Sequence, residues 1–127
     1  MKKRHIIIIC LMIFLMAGCS TKKDLNVQYN EAVELIENNN AVIVDVRTSY
    51  EYSEKHVKNS INISVDNIEE IKDQIKNKDT YLILYCRSGS RSEKALGLLE
   101  DLGYTNVYNL GSIDNWEGEF EKDESEV

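Results

Sequence analysis

The sequence contains no proline. No turn is therefore held by a pyrrolidine ring, and chain reversals must rely on glycine, asparagine, aspartate and serine. Histidine occurs twice and cysteine three times in 127 residues, and these few do not form a recognisable metal cluster. Positive charge is also scarce: 15 basic residues face 22 acidic ones, a formal net charge of −7. Such a surface repels nucleic acid and anionic lipid headgroups, so an anionic substrate must be drawn by a local basic site. Long apolar runs are missing too. The most apolar stretch, Ile6 to Ala17, has 12 residues, short of the roughly 20 that a membrane-spanning helix needs.

What remains describes one globular domain behind a leader. Apolar residues make up 43% and charged residues 29% of the chain, a balance that supports a packed core. The start reads Met1-Lys2-Lys3-Arg4, an apolar run, then Gly18-Cys19. A basic stretch, a short apolar stretch and small residues before a cleavage point describe a secretory signal. Leu15-Met16-Ala17-Gly18-Cys19 resembles the lipobox of bacterial lipoproteins. That resemblance implies cleavage before Cys19, a lipid on Cys19, and a protein anchored to the extracytoplasmic face of the cell membrane. The alternatives are an uncleaved anchor or a plain signal peptide. Losing Lys2, Lys3 and Arg4 from the 15 basic residues leaves 12 against 22 acidic ones, or −10. Cys10 leaves with the leader and Cys19 is lipidated, so Cys86 is the one free thiol of the mature domain. The expected organisation is a signal peptide over 1–18, a tether over 19–24, a domain over 25–118 and an acidic, frayed tail over 119–127.

Along the domain, helical and extended patterns alternate. Leu25 to Gln28 reads as a short first strand. Ala32, Leu35 and Ile36 share one helical face, and Asn38-Asn39-Asn40 ends that helix. Ala41 to Val44 is a strand buried on both faces. Thr48 to Lys55 is a loop with a short helix, and Ile61 to Ile63 a short strand. Asp66 to Lys76 places Ile68, Ile71 and Ile75 on one face. Tyr81 to Tyr85 is the central strand. A helix from about Ser92 carries Ala95, Leu98, Leu99 and Leu102, with Gly103 as its stop. Val107 to Leu110 is a last strand, followed by a short helix near Ile113 to Trp116. Strands alternating with helices predict an α/β fold with a parallel sheet covered on both faces.

Between the central strand and the next helix lies Cys86-Arg87-Ser88-Gly89-Ser90-Arg91. The amides of a tight loop and of a helix N-terminus converge there and favour negative charge. A cysteine at that point ionises more readily than a free one, and the thiolate is the nucleophile. Arg87 and Arg91 add two positive charges. The stretch therefore predicts a reactive thiolate in an anion cradle, with an inert buried cysteine as the bland alternative.

Asp45-Val46-Arg47, Glu51-Tyr52, His56-Val57, Ile61-Asn62-Ile63, Tyr85 to Ser92, and Gly111 with Trp116 together resemble a single-domain rhodanese. The similarity runs from about Leu25 to Trp116. It implies a three-layer α/β/α fold with a five-stranded parallel sheet, and transfer of a sulfane sulfur through a persulfide on Cys86. In that scheme Cys86 is catalytic, and Arg87, Ser88, Gly89, Ser90 and Arg91 bind substrate. Arg91 holds the sulfonate of thiosulfate, with Arg87 helping at the rim. Ser88, Ser90 and Ser92 are candidate hydroxyl donors, and Gly89 permits the turn. The donor is thiosulfate or a persulfide, the acceptor cyanide or a thiol, with no cofactor and no metal. His56-Val57-Lys58-Asn59-Ser60 departs from the family's usual proline- and glycine-containing turn.

Two rival functions follow from the same residues. One is a carrier or partner-binding module that holds sulfane sulfur without turnover. The other is a phosphatase or arsenate reductase, which this fold also hosts with a Cys-X5-Arg loop. Here the arginine falls at Cys-X4-Arg, and the smaller ring suits one added sulfur better than a tetrahedral phosphate. Asp45 and Arg47 read as a structural ion-pair network, with Glu51 a partner for Arg47. His56 reads as a turn-stabilising residue, and Trp116 as packing against the sheet.

Overall fold

A computed structural model describes residues 24–124. The leader, Cys19 and the tether up to residue 23 lie outside the described residues. No described helix is long and apolar enough to cross a membrane.

Helix α1 spans Tyr29–Asn39, and Gln28 at its start donates its backbone N–H to Glu31. The asparagine run stops it as expected, with Asn40 in the left-handed region at φ 53°. Strand β1 (Val42–Asp45) leads to α2 (Ser49–Glu54), then to β2 (His56–Val57) and β3 (Ile61–Asn62). The next segment is a 3-10 turn over Val65–Glu70 running into α3 (Ile71–Gln74). The single helix expected over 66–76 is thus broken, with non-helical backbone at Asn67, yet Ile68 and Ile71 are both buried as their spacing requires. Strand β4 (Leu82–Cys86), α4 (Ser90–Asp101) and β5 (Val107–Ser112) follow, then a short 3-10 turn and β6 (Phe120–Glu121).

The main sheet is parallel in the order β3-β1-β4-β5. It has four strands where the resemblance implies five. The fifth position is reduced to a single parallel bridge between Asn26 and Asn109, flanked by Val27 N–H to Asn109 O and Asn109 N–H to Leu25 O. The reason is local: Gln28 already begins the capping arrangement of α1, so the chain turns away after Val27. The acidic tail also departs from expectation. Phe120–Glu121 pairs antiparallel with His56–Val57, and Asp123 N–H donates to Ser53 O, so the chain is held beyond Glu117.

Strand periodicity divides the core. Val44, Leu82, Leu84 and Cys86 face one layer with Ala95 and Leu99 of α4. Ile43, Ile83 and Tyr85 face the other with Ala32 of α1 and Leu110. Helices cover both faces, which gives the three-layer α/β arrangement. The turn after β2 works without proline or glycine because Asn59 takes the left-handed conformation at φ 66°, and Ser60 N–H and Oγ–H both donate to Val57 O. Asparagine tolerates that region better than most residues.

Candidate active site

The C-terminal ends of β1, β4 and β5 lie on one edge of a parallel sheet, where loops leave the strands. Asp45 ends β1, Cys86 ends β4 and Ser112 ends β5. Cys86 is fully buried at the last position of the central strand and is the free cysteine among the described residues. The chain must then turn into α4 within three residues. Gly89 makes this possible with φ 98°, and α4 starts at Ser90, two residues earlier than its apolar pattern suggests. A side chain at that φ is strained.

The loop wraps the sulfur. Gly89 N–H donates to Cys86 Sγ at 2.9 Å. Ser92 Oγ lies 3.6 Å from Sγ and donates to Gly89 O at 3.0 Å. The thiol acidity follows from these contacts. Burial pushes it up, but the Ser92 hydroxyl and the amides of Ser92, Gly89 and Ser88 more than offset this, so the thiol is more acidic than usual. Hydrogen bonds to the charged form win over desolvation. As Sγ loses its proton, the Ser92 hydroxyl can turn from the Gly89 carbonyl to the sulfur.

Strand β5 closes the loop from behind. Ser112 Oγ–H donates to Arg87 O at 2.7 Å. The register between β4 and β5 shifts so that Leu84 pairs with Asn109 but Tyr85 with Gly111, leaving Leu110 as a bulge. Gly111 has φ 85°, and its Cα lies 3.6 Å from where a side chain on Gly89 would begin. The bulge thus brings a glycine under the loop.

The expected site residues separate into distinct positions. Cys86, Gly89 and the loop backbone form the cradle. Arg87 is exposed and its side chain has no partner among the described residues. Ser88 and Ser90 are exposed, and no hydroxyl of theirs reaches the sulfur; of the three serines, Ser92 does. Arg91 does not stand open as a sulfonate ligand. Its Nη1 and Nη2 donate to Glu51 Oε1 and Oε2 at 2.6 and 3.0 Å. Glu51 is held below the usual carboxylate range, to about 2, first by Arg91 and against burial, with Thr48 contributing.

This pairing corrects the expected Arg47–Glu51 contact. Arg47 instead turns back on Asp45, with Nε 3.0 Å from both carboxylate oxygens and Nη2 2.7 Å from Oδ2. Both residues are buried, and Arg47 N–H also donates to Asp45 at 2.9 Å. His56 is buried in β2; its Nδ1–H donates to Tyr52 O at 2.7 Å and its ring stacks on Tyr52 at 3.7 Å. Trp116 packs with the α1 side of the core and meets Tyr29 edge-on. Ser92 stands outside the predicted substrate-binding set, and the role of Glu51 beside the loop was missed. The available signal for Glu51 was Thr48-Ser49-Tyr50-Glu51, a capping box that puts a carboxylate on the first turn after β1.

Comparison with known proteins agrees with this geometry. The rhodanese-like domain profile matches residues 28–119. The thiosulfate sulfurtransferase PspE of Escherichia coli is 34% identical over 71 residues, covering 55% of this chain and 68% of that protein. A tRNA uridine(34) hydroxylase of Prochlorococcus marinus is 35% identical over 102 residues, 72% of this chain but only 33% of that protein. Among solved structures, a rhodanese with anions from E. coli superposes with a TM-score of 0.62 at 30% identity, covering 65% of this chain and 98% of that one. With the cysteine loop, the parallel sheet and the matched profile in agreement, the chain belongs to the rhodanese-like domain family.

Proposed function

We propose that this protein is a sulfurtransferase that carries sulfane sulfur as a persulfide on Cys86. The observation that carries the reading is the cradle itself: Gly89 N–H at 2.9 Å from Sγ, with Ser92 beside it and the thiol made more acidic. The Cys86 thiolate attacks the outer sulfur of a donor such as thiosulfate. A sulfur–sulfur bond forms on Cys86, the donor's sulfur–sulfur bond breaks, and sulfite leaves with the electron pair. The loop amides stabilise the terminal persulfide anion without reorganising. A thiol or cyanide then attacks the outer sulfur and regenerates the thiolate. The name and coverage of PspE support this class of reaction.

The lipobox-like Leu15 to Cys19 supports a finer reading: the mature protein is held at the extracytoplasmic membrane face by lipid on Cys19. A single unpaired thiol outside the cytoplasm accords with a catalytic use, since exported cysteines otherwise tend to pair.

Intact-mass measurement of the membrane-extracted protein before and after thiosulfate or a persulfide tests both parts. One added sulfur that is absent in Cys86→Ser, together with turnover to cyanide, is the expected result. Loading without release supports the carrier instead. Hydrolysis of an aryl phosphate with no sulfur uptake overturns the sulfurtransferase. An unlipidated Cys19 removes the anchor.

A further inference from the structure

Four arginines occur in the sequence, and three lie among the described residues: Arg47, Arg87 and Arg91. Arg47 is neutralised by Asp45 at 2.7 Å. Arg91 is neutralised by Glu51 through both ends of its fork. Arg87 follows Cys86 on the loop, exposed and without a side-chain partner among those residues. Around them the chain carries a net charge of −7.

Two donor classes place different demands on such a site. The thiolate and thiosulfate together bring three negative charges, which end as a persulfide anion and sulfite dianion. With an organic hydropersulfide, R–S–SH, the thiolate attacks the terminal sulfur, the donor's sulfur–sulfur bond breaks, and the leaving thiolate R–S⁻ takes the proton. The products are the Cys86 persulfide anion and R–SH, and the total charge is one. A site meant for the first donor needs free guanidinium groups facing the sulfonate. Here the best placed of them is already occupied.

We propose that Glu51 sets donor choice: by engaging Arg91 it leaves Arg87 as the one uncommitted guanidinium among the described residues and favours a hydropersulfide over dianionic thiosulfate. This rests on the sulfurtransferase reading above. Glu51 is a positioning residue acting through Arg91. Its side chain belongs to α2, so the element after β1 filters substrates for the loop after β4.

The test compares second-order rates of sulfur loading on Cys86 from thiosulfate and from 2-mercaptoethanol hydropersulfide. Glu51→Gln keeps an oxygen for the Thr48 capping contact but frees the Arg91 charge. The thiosulfate-to-hydropersulfide rate ratio is expected to rise about tenfold over wild type, the scale of a charged hydrogen bond. Arg87→Gln, at an exposed position where folding is secure, is expected to lower that ratio by about tenfold. Hydropersulfide loading by each variant reports that it is folded. A ratio unchanged or lowered in Glu51→Gln, or unchanged in Arg87→Gln, overturns the proposal and leaves the sulfurtransferase standing. A wild type that takes sulfur from neither donor overturns both.

Discussion

Gly89 reaches back three residues to give its amide to the Cys86 sulfur at 2.9 Å, and it does so from a φ of 98°. The hydrogen bond and the backbone conformation are inseparable, because only that turn aims the amide inward. Gly89→Ala leaves ordinary space for the added carbon, 3.6 Å from Gly111 Cα, so the cost is conformational. Expected losses are about 1 kcal/mol of stability and at least tenfold in the alkylation rate of Cys86 at neutral pH. Denaturant titration and iodoacetamide kinetics read the two effects. An alkylation rate equal to wild type would show that the amide does not activate the thiol.

Ser92 is buried and touches both the loop carbonyl and the sulfur. Removing its hydroxyl in Ser92→Ala deletes the largest of the interactions that lower the thiol pKa. The pH profile of alkylation is expected to move upward, toward the value of an ordinary cysteine. Stability falls by about 1 kcal/mol as the Gly89 carbonyl loses one of its two donors and keeps Glu93 N–H. The linkage has a defined sign: a lowered thiol pKa adds stability above the unfolded value near 9 and loses it as pH falls through the folded one. Wild type should therefore gain on Ser92→Ala as pH approaches 9. A constant difference across that range removes the thiolate interaction.

Much of this site was legible because two periodicities meet at Cys86. Tyr81 to Tyr85 reads as a buried strand, Ala95 to Leu102 as a helix, and a short polar loop between them must hold its first residue near the helix N-terminus. Glu51 was expected beside Arg47 but pairs with Arg91. Its partner lies 40 residues away, and local pattern does not choose between Arg47 and Arg91 for Glu51. Tertiary placement does, since Arg47 finds Asp45 two residues back, at the end of β1. Strand β6 was hidden for another reason. Two residues in an acidic stretch show no alternation, and Phe120 is an isolated apolar signal. The missing fifth strand follows from the same limit, because the bridge at Asn26 is one residue long.

Asp45 and Arg47 form a buried pair whose partners cannot be separated without leaving a charge in the core. Asp45→Ala strands the Arg47 guanidinium next to the Tyr85 ring, 5.7 Å away. The expected destabilisation is about 3 kcal/mol or more, the usual cost of breaking one half of a buried ion pair. The doubly changed Asp45→Ala/Arg47→Met removes the orphan charge and is expected to recover a large part of that loss. Urea unfolding of the three proteins supplies the comparison. A single variant that loses less than about 1 kcal/mol would mean the guanidinium escapes to water, and the pair would then have no structural role.

The Glu51–Arg91 pair makes acid stability a direct readout of the contact proposed to govern donor choice. The carboxyl has an ordinary value of 4.5 and is lowered to about 2 in the folded protein. The sign is that of a depressed acid: its stabilisation is complete above pH 4.5 and disappears as pH falls through 2. Wild type is therefore expected to weaken across this window more steeply than Glu51→Gln, which has no proton to bind there. The pair is partly exposed, at 34% and 27% of the two side chains, so added salt should reduce the difference between the proteins. Urea midpoints measured from pH 2 to 6, at low and at high salt, separate these contributions. Parallel pH curves for the two proteins would mean that Arg91 does not hold the carboxylate in solution, and the guanidinium would then be free for an anionic donor.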